Sequence, residues 1–378
     1  MSQHRRHILI MSSWYPNRLD QFVGNFVQRF AELLAVDHDV SVIHTLGDKS
    51  NKSLEIVDQK ENGVRVVRAY HPISKNKIRH WWNQRKALRA CFQLIEDVDL
   101  IFAHVLLPRG YQFTAAKNYY HRDLIVLEHA SYYRPDVSKR ISSLNKQMMK
   151  RVSRHVEQFC AVSELLANDM KNVLPTVKPV IIPNFVDAEF FHPSARQIEH
   201  RRKFLHISTL DSMTKNPELL FEGFYAAYQA NKHISLTVIS DQNTNQWQNW
   251  VDVHGLSNAV KWIGPSSWEE IAAEMRNHDC VIITSGYETF NIVLAEAWCC
   301  GIPVISTSVG IARELDSSLG IQLKESNVPE LVNAIEIITS GALKFNSKII
   351  REHGLQFSKE KVLVQLKELF EPHFKVYE

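Results

Sequence analysis

Two glutamates eight positions apart, Glu288 and Glu296, carry the clearest chemistry in this sequence. They sit in a stretch, Ser285 to Thr307, that reads as a turn, a helix and the start of a strand. The strand before it is Cys280–Thr284, the turn is Ser285–Asn291, and the helix runs from about Ile292 to Cys300. Gly301 then supplies the left-handed position after the helix, and Pro303 begins the next strand. Thr289 or Asn291 caps the helix start. The open amides of Ile292 and Val293 make an anion site that suits a diphosphate. Glu296, one turn into the helix, can accept hydrogen bonds from a vicinal diol such as a ribose. Glu288, at the strand exit, can accept from a sugar hydroxyl or stabilise positive charge developing at an anomeric carbon. The plainer reading of both is complementarity to the helix dipole.

The elements that must position these residues follow from length and pattern. At 378 residues, the chain holds about two domains of roughly 150 residues each. Apolar residues are 45% and charged residues 22%, which excludes a disordered chain, a collagen and a disulfide-rich miniprotein. No apolar run approaches the roughly 18 residues of a membrane span. The apolar stretch after the basic start, Ile8–Met11, is shorter than the roughly 7–15 residues of a secretory segment. The expectation is a cytoplasmic chain. Five cysteines, with Cys299 and Cys300 adjacent, fit reduced buried thiols and form no metal-ligand spacing.

Short apolar, β-branched runs recur at Ile8–Met11, Val40–His44, Val64–Arg68, Leu100–Val105, Leu124–Leu127, Phe159–Val162 and Val180–Ile182. They recur again at Phe204–Ile207, Leu236–Ile239, Val260–Ile263, Cys280–Thr284 and Pro303–Ser306. Helical patterns such as Phe26–Leu34, Pro217–Gln229 and Ile271–Arg276 separate them. This is the signature of parallel strands buried on both faces. The predicted fold is α/β: two Rossmann-like, doubly wound domains facing a cleft, with a C-terminal helix packing back toward the N-terminal domain. The boundaries expected are 1–192, 203–355 and 356–378, with the polar segment Phe191–Lys203 as linker. In open α/β sheets, ligands bind beyond the C-terminal strand ends. The decoys Asp37-His38-Asp39 and Asp97-Val98-Asp99 precede strands and read as solvated turns, so no metal site is expected.

Charge is unevenly spread. Residues 1–200 carry 28 Lys+Arg and 20 Asp+Glu, a balance of +8; residues 201–378 carry 16 and 21, a balance of −5. The basic half suits an anionic partner. Its densest stretch, Lys75–Arg89, mixes cations such as Arg85 and Lys86 with Trp81 and Trp82. That composition suits an interfacial helix on an anionic membrane, or a solvated helix with its Trp packed inward. A second basic stretch runs from Lys139 to Arg154. No nucleic-acid motif is present.

The stretch Glu288 to Val304 resembles the signature of the retaining GT-B glycosyltransferases of family 4 (group 1): a Glu, seven residues, a second Glu, a helix end rich in small residues, then Gly-x-Pro-Val. Asn291 stands where the family usually has Gly, and Asn tolerates unusual backbone angles. Further segments resemble the family in the same order. They are Trp14-Tyr15-Pro16 with Gly24-Asn25-Phe26-Val27, Asp99–His104, Leu127-Glu128-His129, Ile182–Asp187, Ser208–Asn216 and Ile263-Gly264-Pro265.

The resemblance implies roles. Glu288 and His129 flank the donor sugar as catalytic residues, with Glu128 orienting His129 or pairing with a local base. Glu296 binds the nucleotide ribose. Lys215 clamps the diphosphate, although Thr209 occupies the place of a partner Arg. Thr289, Phe290, Asn291 and Ile292 shape the donor loop, and Ile263 and Gly264 rest against the base. Gly24 and Asn25 form the acceptor or phosphate loop, and Trp81, Trp82, Arg85 and Lys86 face the membrane. The implied reaction is a metal-independent, retaining transfer of a hexose-type sugar from a UDP- or GDP-type donor, without a cofactor. The acceptor is a glycan or lipid-linked molecule in surface polysaccharide assembly. The alternatives are a sugar-nucleotide epimerase or phosphorylase of the same fold, and a degenerate sugar-nucleotide-binding protein. The Thr209 departure speaks for the last of these.

Overall fold

Mostly parallel strands, most of them apolar runs, build two separate sheets. The structure, a computed structural model, describes residues 5–21, 23–195 and 201–374. The chain divides into two compact units, one of Met1–Ile182 with Leu363–Glu378 and one of Pro183–Val362.

The first unit holds an eight-stranded sheet. Its strands are β1 (His7–Ser12), β2 (Asp39–Asp48), β3 (Glu55–Glu61), β4 (Val64–Pro72), β5 (Leu100–His104), β6 (Leu124–Glu128), β7 (Gln158–Ala161) and β8 (Val180–Ile181). The spatial order is β3-β4-β2-β1-β5-β6-β7-β8. Every pairing is parallel except β3 with β4. The central strands β1, β5 and β6 are buried along almost their whole length, which explains their unbroken apolar sequences. Like Gly320–Leu323 in the second unit, β3 is a strand that the sequence pattern does not show. Its Glu-Ile-Val-Asp-Gln-Lys-Glu is too polar for a core, and it forms a charged edge through Asp58–Arg65 and Glu61–Arg68 pairs.

The second unit holds six parallel strands: β9 (Lys203–Ile207), β10 (Ser235–Ile239), β11 (Val260–Ile263), β12 (Cys280–Ile283), β13 (Val304–Thr307) and β14 (Gly320–Leu323). Their order is β11-β10-β9-β12-β13-β14, the doubly wound arrangement in which strand order reverses between β9 and β12. Its core centres on Phe204, Phe221, Phe224 and Ile282, with Trp247 stacked on Phe221 at 5.0 Å.

Two expected boundaries move. The turn after Ile182 belongs to the second unit rather than the first. Val186 bridges to Ser358, Lys359 pairs with Asp187, and Arg351 donates to the carbonyl of Phe191, which is itself fully buried. Phe191 is therefore core, not linker, and residues 196–200 of the expected linker lie outside the described residues. The last helix, Lys359–Phe370, changes unit along its length. Val362 is counted with the second unit, whereas Leu366 and Phe370 fill the first, where Phe370 meets Phe102 edge-on at 5.0 Å. All five cysteines are buried free thiols, and burial pushes Cys91 and Cys299 up to about 12. Among the described residues, no helix is long and apolar enough to cross a membrane.

Candidate active site

In the second unit, the loops leaving β9 and β12 flank the reversal of strand order and are stitched together. Gly286 N–H donates to the Thr214 carbonyl at 2.8 Å, and Thr284 Oγ1 donates to the Lys215 carbonyl at 2.9 Å. This brings Lys215 and Glu288, 73 residues apart, into an ion pair at 2.5 Å. Ser285 Oγ donates to the same carboxylate oxygen at 2.8 Å. Both partners keep partial exposure, 23% for Lys215 and 17% for Glu288.

The helix Ile292–Cys299 starts as expected, and its cap is Asn291 rather than Thr289. Asn291 adopts φ +77°, the left-handed region in which glycine and asparagine are the usual residues, and its side chain accepts from Leu294 N–H at 3.2 Å. One residue thus performs the turn and the cap, which glycine cannot do together. Ile292 and Val293 lie in the first turn, whose N–H groups have no intrahelical acceptor. Glu296 is 6% exposed on this helix, and Phe290 is buried against Phe357. Gly310 stands behind the loop at φ +52°, where a Cβ would meet the Phe290 carbonyl at 2.2 Å. Its glycine is a steric necessity that no sequence motif announces. A second left-handed asparagine, Asn216, caps the helix Pro217–Ala230 directly after Lys215. Thr209 is exposed.

Ile263 ends the edge strand β11, and its carbonyl accepts Ser240 N–H at 3.1 Å. Gly264 is exposed, has no positive φ and has nothing within 4 Å of a Cβ position. Its carbonyl accepts from Ser266. Neither crowding nor backbone angle requires a glycine at this position.

In the first unit, the loops leaving β1, β5 and β6 hold the other candidates. Gly24 precedes the helix Asn25–Leu34 at φ +72°, and a Cβ there would lie 2.4 Å from the Trp14 carbonyl oxygen. Asn25 is exposed. His129, 7% exposed, lies against Phe26 with ring centroids 4.2 Å apart. Its Nε2 is 3.0 Å from Nδ1 of His104. Glu128 does not orient the His129 ring. Its Oε1 instead accepts from Leu106 N–H, Tyr132 Oη and Tyr133 Oη at 2.9, 2.7 and 2.9 Å. Burial lifts Glu128 to about 6 against those stabilising bonds, and burial holds His104 down to about 3. His104 is the residue sequence reasoning missed. It is the last residue of a buried strand, and only the pairing of β5 with β6 brings it to His129.

The helix Lys77–Phe92 presents Ile78, Trp81 and Trp82 to solvent at 70%, 43% and 60% exposure, so its Trp residues are not packed inward. Arg85 lies over the Trp81 ring at 4.7 Å. Trp81, Trp82, Arg85 and Lys86 line an open groove of about 1020 Å³, shared with Tyr111 and Tyr119. Among the described residues, no group of His, Cys, Asp or Glu side chains is arranged to hold a metal ion.

Residues 187–352 match the model of the glycosyl transferases group 1, and residues 23–190 match that of glycosyltransferase family 4. The chain is 23% identical over 296 residues to an uncharacterized glycosyltransferase of Methanocaldococcus jannaschii, covering 73% of this chain and 76% of that protein. It is 25% identical over 173 residues to the MMP alpha-(1->4)-mannosyltransferase of Mycolicibacterium hassiacum, covering 45% and 41%. Among solved structures it is similar in fold to the sucrose-phosphate synthase of Thermosynechococcus elongatus, with TM-score 0.76 and 17% identity over 97% of this chain and 99% of that one. It is also similar to Anabaena HepE in complex with UDP and glucose, with TM-score 0.72 and 17% identity over 97% and 100%.

Proposed function

Since the chain belongs to the group 1 glycosyltransferases of GT-B fold, we propose that it is a retaining, metal-independent hexosyltransferase. It takes a UDP- or GDP-type sugar as donor and a glycan or lipid-linked molecule as acceptor, in surface polysaccharide assembly. The observation that carries this reading is the Lys215–Glu288 pair beside the Asn291-capped helix that bears Glu296.

The pair holds the site's charges in the absence of donor. When a diphosphate arrives, Lys215 turns to it, and the first-turn amides of Ile292 and Val293 share the load. Glu288 is then released to a sugar hydroxyl, and Glu296 takes the ribose diol. Thr289, Phe290 and Asn291 fix the loop's shape, and Ile263 and Gly264 support the base. His129, held by His104, contacts the donor sugar, and Gly24 and Asn25 form the acceptor loop. The anomeric carbon–phosphate oxygen bond breaks while the acceptor oxygen bonds the same face, and the acceptor proton passes to the leaving diphosphate. Trp81, Trp82, Arg85 and Lys86 rest on the anionic inner face of the plasma membrane. The exposed Thr209, in place of a bidentate Arg, favours a second reading, a protein that binds donor without turnover.

Calorimetry with UDP, GDP, ADP and their sugars tests the donor, followed by assay of nucleoside diphosphate release. Transfer requires release that depends on added acceptor. Tight donor binding without release across the whole panel establishes the second reading.

A further inference from the structure

Glu128 adjoins His129 in sequence, but its carboxylate oxygen Oε1 is taken by Leu106, Tyr132 and Tyr133. The ring of His129 meets an imidazole instead: its Nε2 lies 3.0 Å from Nδ1 of His104. The two ring centroids are 5.3 Å apart and the planes 22° from parallel. With nitrogens that close and centroids that far apart, the rings meet edge to edge, as a hydrogen bond along the ring plane requires. Phe26 covers a face of the His129 ring at 4.2 Å, and Phe30 stands edge-on to it at 5.9 Å. A carboxylate behind a histidine favours the imidazolium, whereas a neutral imidazole behind it does not.

A bond between two imidazole nitrogens needs one hydrogen and one lone pair, so either His104 donates or His129 does. The surroundings of His104 decide. Its ring is fully buried at the end of β5, against Phe102 at 4.5 Å and Phe30 at 5.5 Å. Burial alone lowers it to about 3, so it is neutral and carries one ring hydrogen. Its Nε2 has no hydrogen-bond partner among the described residues. A hydrogen placed on Nε2 is a buried donor without an acceptor, for which the neighbouring phenyl rings offer only a weak contact. A hydrogen placed on Nδ1 is used on His129, and Nε2 keeps a bare lone pair, the less costly omission. An imidazolium at His129 demands the costlier arrangement as well, because its Nε2 would donate and Nδ1 of His104 would have to accept.

We infer that His104 is a positioning residue for His129: it occupies the Nε2 lone pair and fixes that ring in its neutral Nδ1–H form, a hydrogen-bond donor. In this form His129 gives a hydrogen bond to a substrate oxygen and cannot draw a proton from the acceptor through Nε2. The transferase reading enters only in what Nδ1 donates to; the tautomer stands on the two rings and their surroundings.

The test is long-range proton–nitrogen NMR of the full chain, labelled at its histidine ring nitrogens and without ligand. His129→Gln identifies the His129 signals by their loss, and His104→Asn identifies those of His104. Both wild-type rings are expected to carry hydrogen on Nδ1 and a bare Nε2. In His104→Leu the His129 signals are expected to move toward the Nε2–H form. In His104→Asn, whose amide stands where Nδ1 stood, they are expected to stay. In the acceptor-dependent release assay, His104→Leu is expected to lower kcat about tenfold, the worth of one hydrogen bond, and His104→Asn to recover a large part of that loss. A wild-type His129 with hydrogen on Nε2, His129 signals unchanged in folded His104→Leu, or an Asn variant as impaired as the Leu variant overturns the positioning role. Should His104→Leu not fold, the wild-type spectrum and the Asn variant decide alone. The expected tautomers in a protein that transfers from none of the donors overturn the transferase reading and leave the His104–His129 assignment standing.

Discussion

The two units place their candidate residues on loops at the same topological position and treat charge in opposite ways. The first buries Glu128, His104 and His129, and burial pushes Glu128 and His104 toward their neutral forms. The second keeps a partly exposed ion pair, Lys215 with Glu288. The helix starts show a parallel contrast. Gly24 and Asn291 both precede a helix in the left-handed region, but only Gly24 is pressed against a carbonyl. The lesson is that the first cluster is fixed by packing and the second by a partly exposed charge pair.

The contrast breaks most easily at those helix starts. Gly24→Ala is expected to cost about 3 kcal/mol or more, because the strain and the clash with Trp14 add. Asn291→Gly is expected to cost under about 1 kcal/mol, since glycine keeps the turn and loses only the cap. Urea unfolding that shows equal losses removes the distinction between a crowded and an open turn.

Next in size is Glu296→Ala. Loss of a hydrogen bond to a charged group is worth roughly 1.5–3 kcal/mol, or about 10–150-fold in donor affinity. Calorimetry with whichever nucleotide of that panel the wild type binds reads it, and unchanged affinity removes the ribose role.

Acid should separate the units. Burial lowers His44 and His104 to about 3 in the first unit and His206 to about 4 in the second. Each is neutral in the fold and charged when unfolded, so the stability it contributes is lost as pH falls below about 6.5 toward the folded value. Glu128 has the opposite sign: its raised value means stability that is present in acid and lost as pH rises through about 6. It therefore offsets part of the histidine loss in the first unit down to its ordinary value of 4.5. Below that value the offset ends. The lowered carboxylates Asp58 and Glu61 then add losses, small because they are partly exposed. The first unit should open before the second as pH falls from 5 toward 3, read by peptide-resolved hydrogen exchange. Earlier opening of the second unit would show that burial does not govern the first.

The smallest effect is expected at the surface. Trp81→Ala with Trp82→Ala should lower binding to vesicles containing anionic lipid several-fold and leave donor binding unchanged. Equal sedimentation of the variant and the wild type removes the membrane role.

Much of this was legible in the sequence, for identifiable reasons. Central strands such as Leu100–His104 and Cys280–Ile283 are buried on both faces, so they read as uninterrupted apolar runs. The β3 edge strand alternates weakly and carries its information in ion pairs with β4, which a linear pattern does not show. The Glu288-to-Glu296 segment was legible because one short loop and helix contain it. The Lys215–Glu288 pair and the His104–His129 contact were not legible, because each depends on strands far apart in sequence becoming neighbours. Gly310 is the same case for backbone: its need for glycine comes from a carbonyl twenty residues earlier.

The helix Lys359–Phe370 has a consequence for how the chain comes into being. Leu366 and Phe370 complete the core of the first unit, and His373 and Lys367 pair with Asp123 and Asp37. All four residues emerge after the entire second unit has been synthesised. At roughly 5–20 residues per second, those intervening residues take about 10–40 s to appear. Through that interval the first unit waits without the Phe370 ring that meets Phe102, although most of its residues precede the second unit in the chain. The unit that begins before the second one is therefore completed after it, and a ribosome that stalls between Val362 and Phe370 leaves the first unit, not the second, without its last helix.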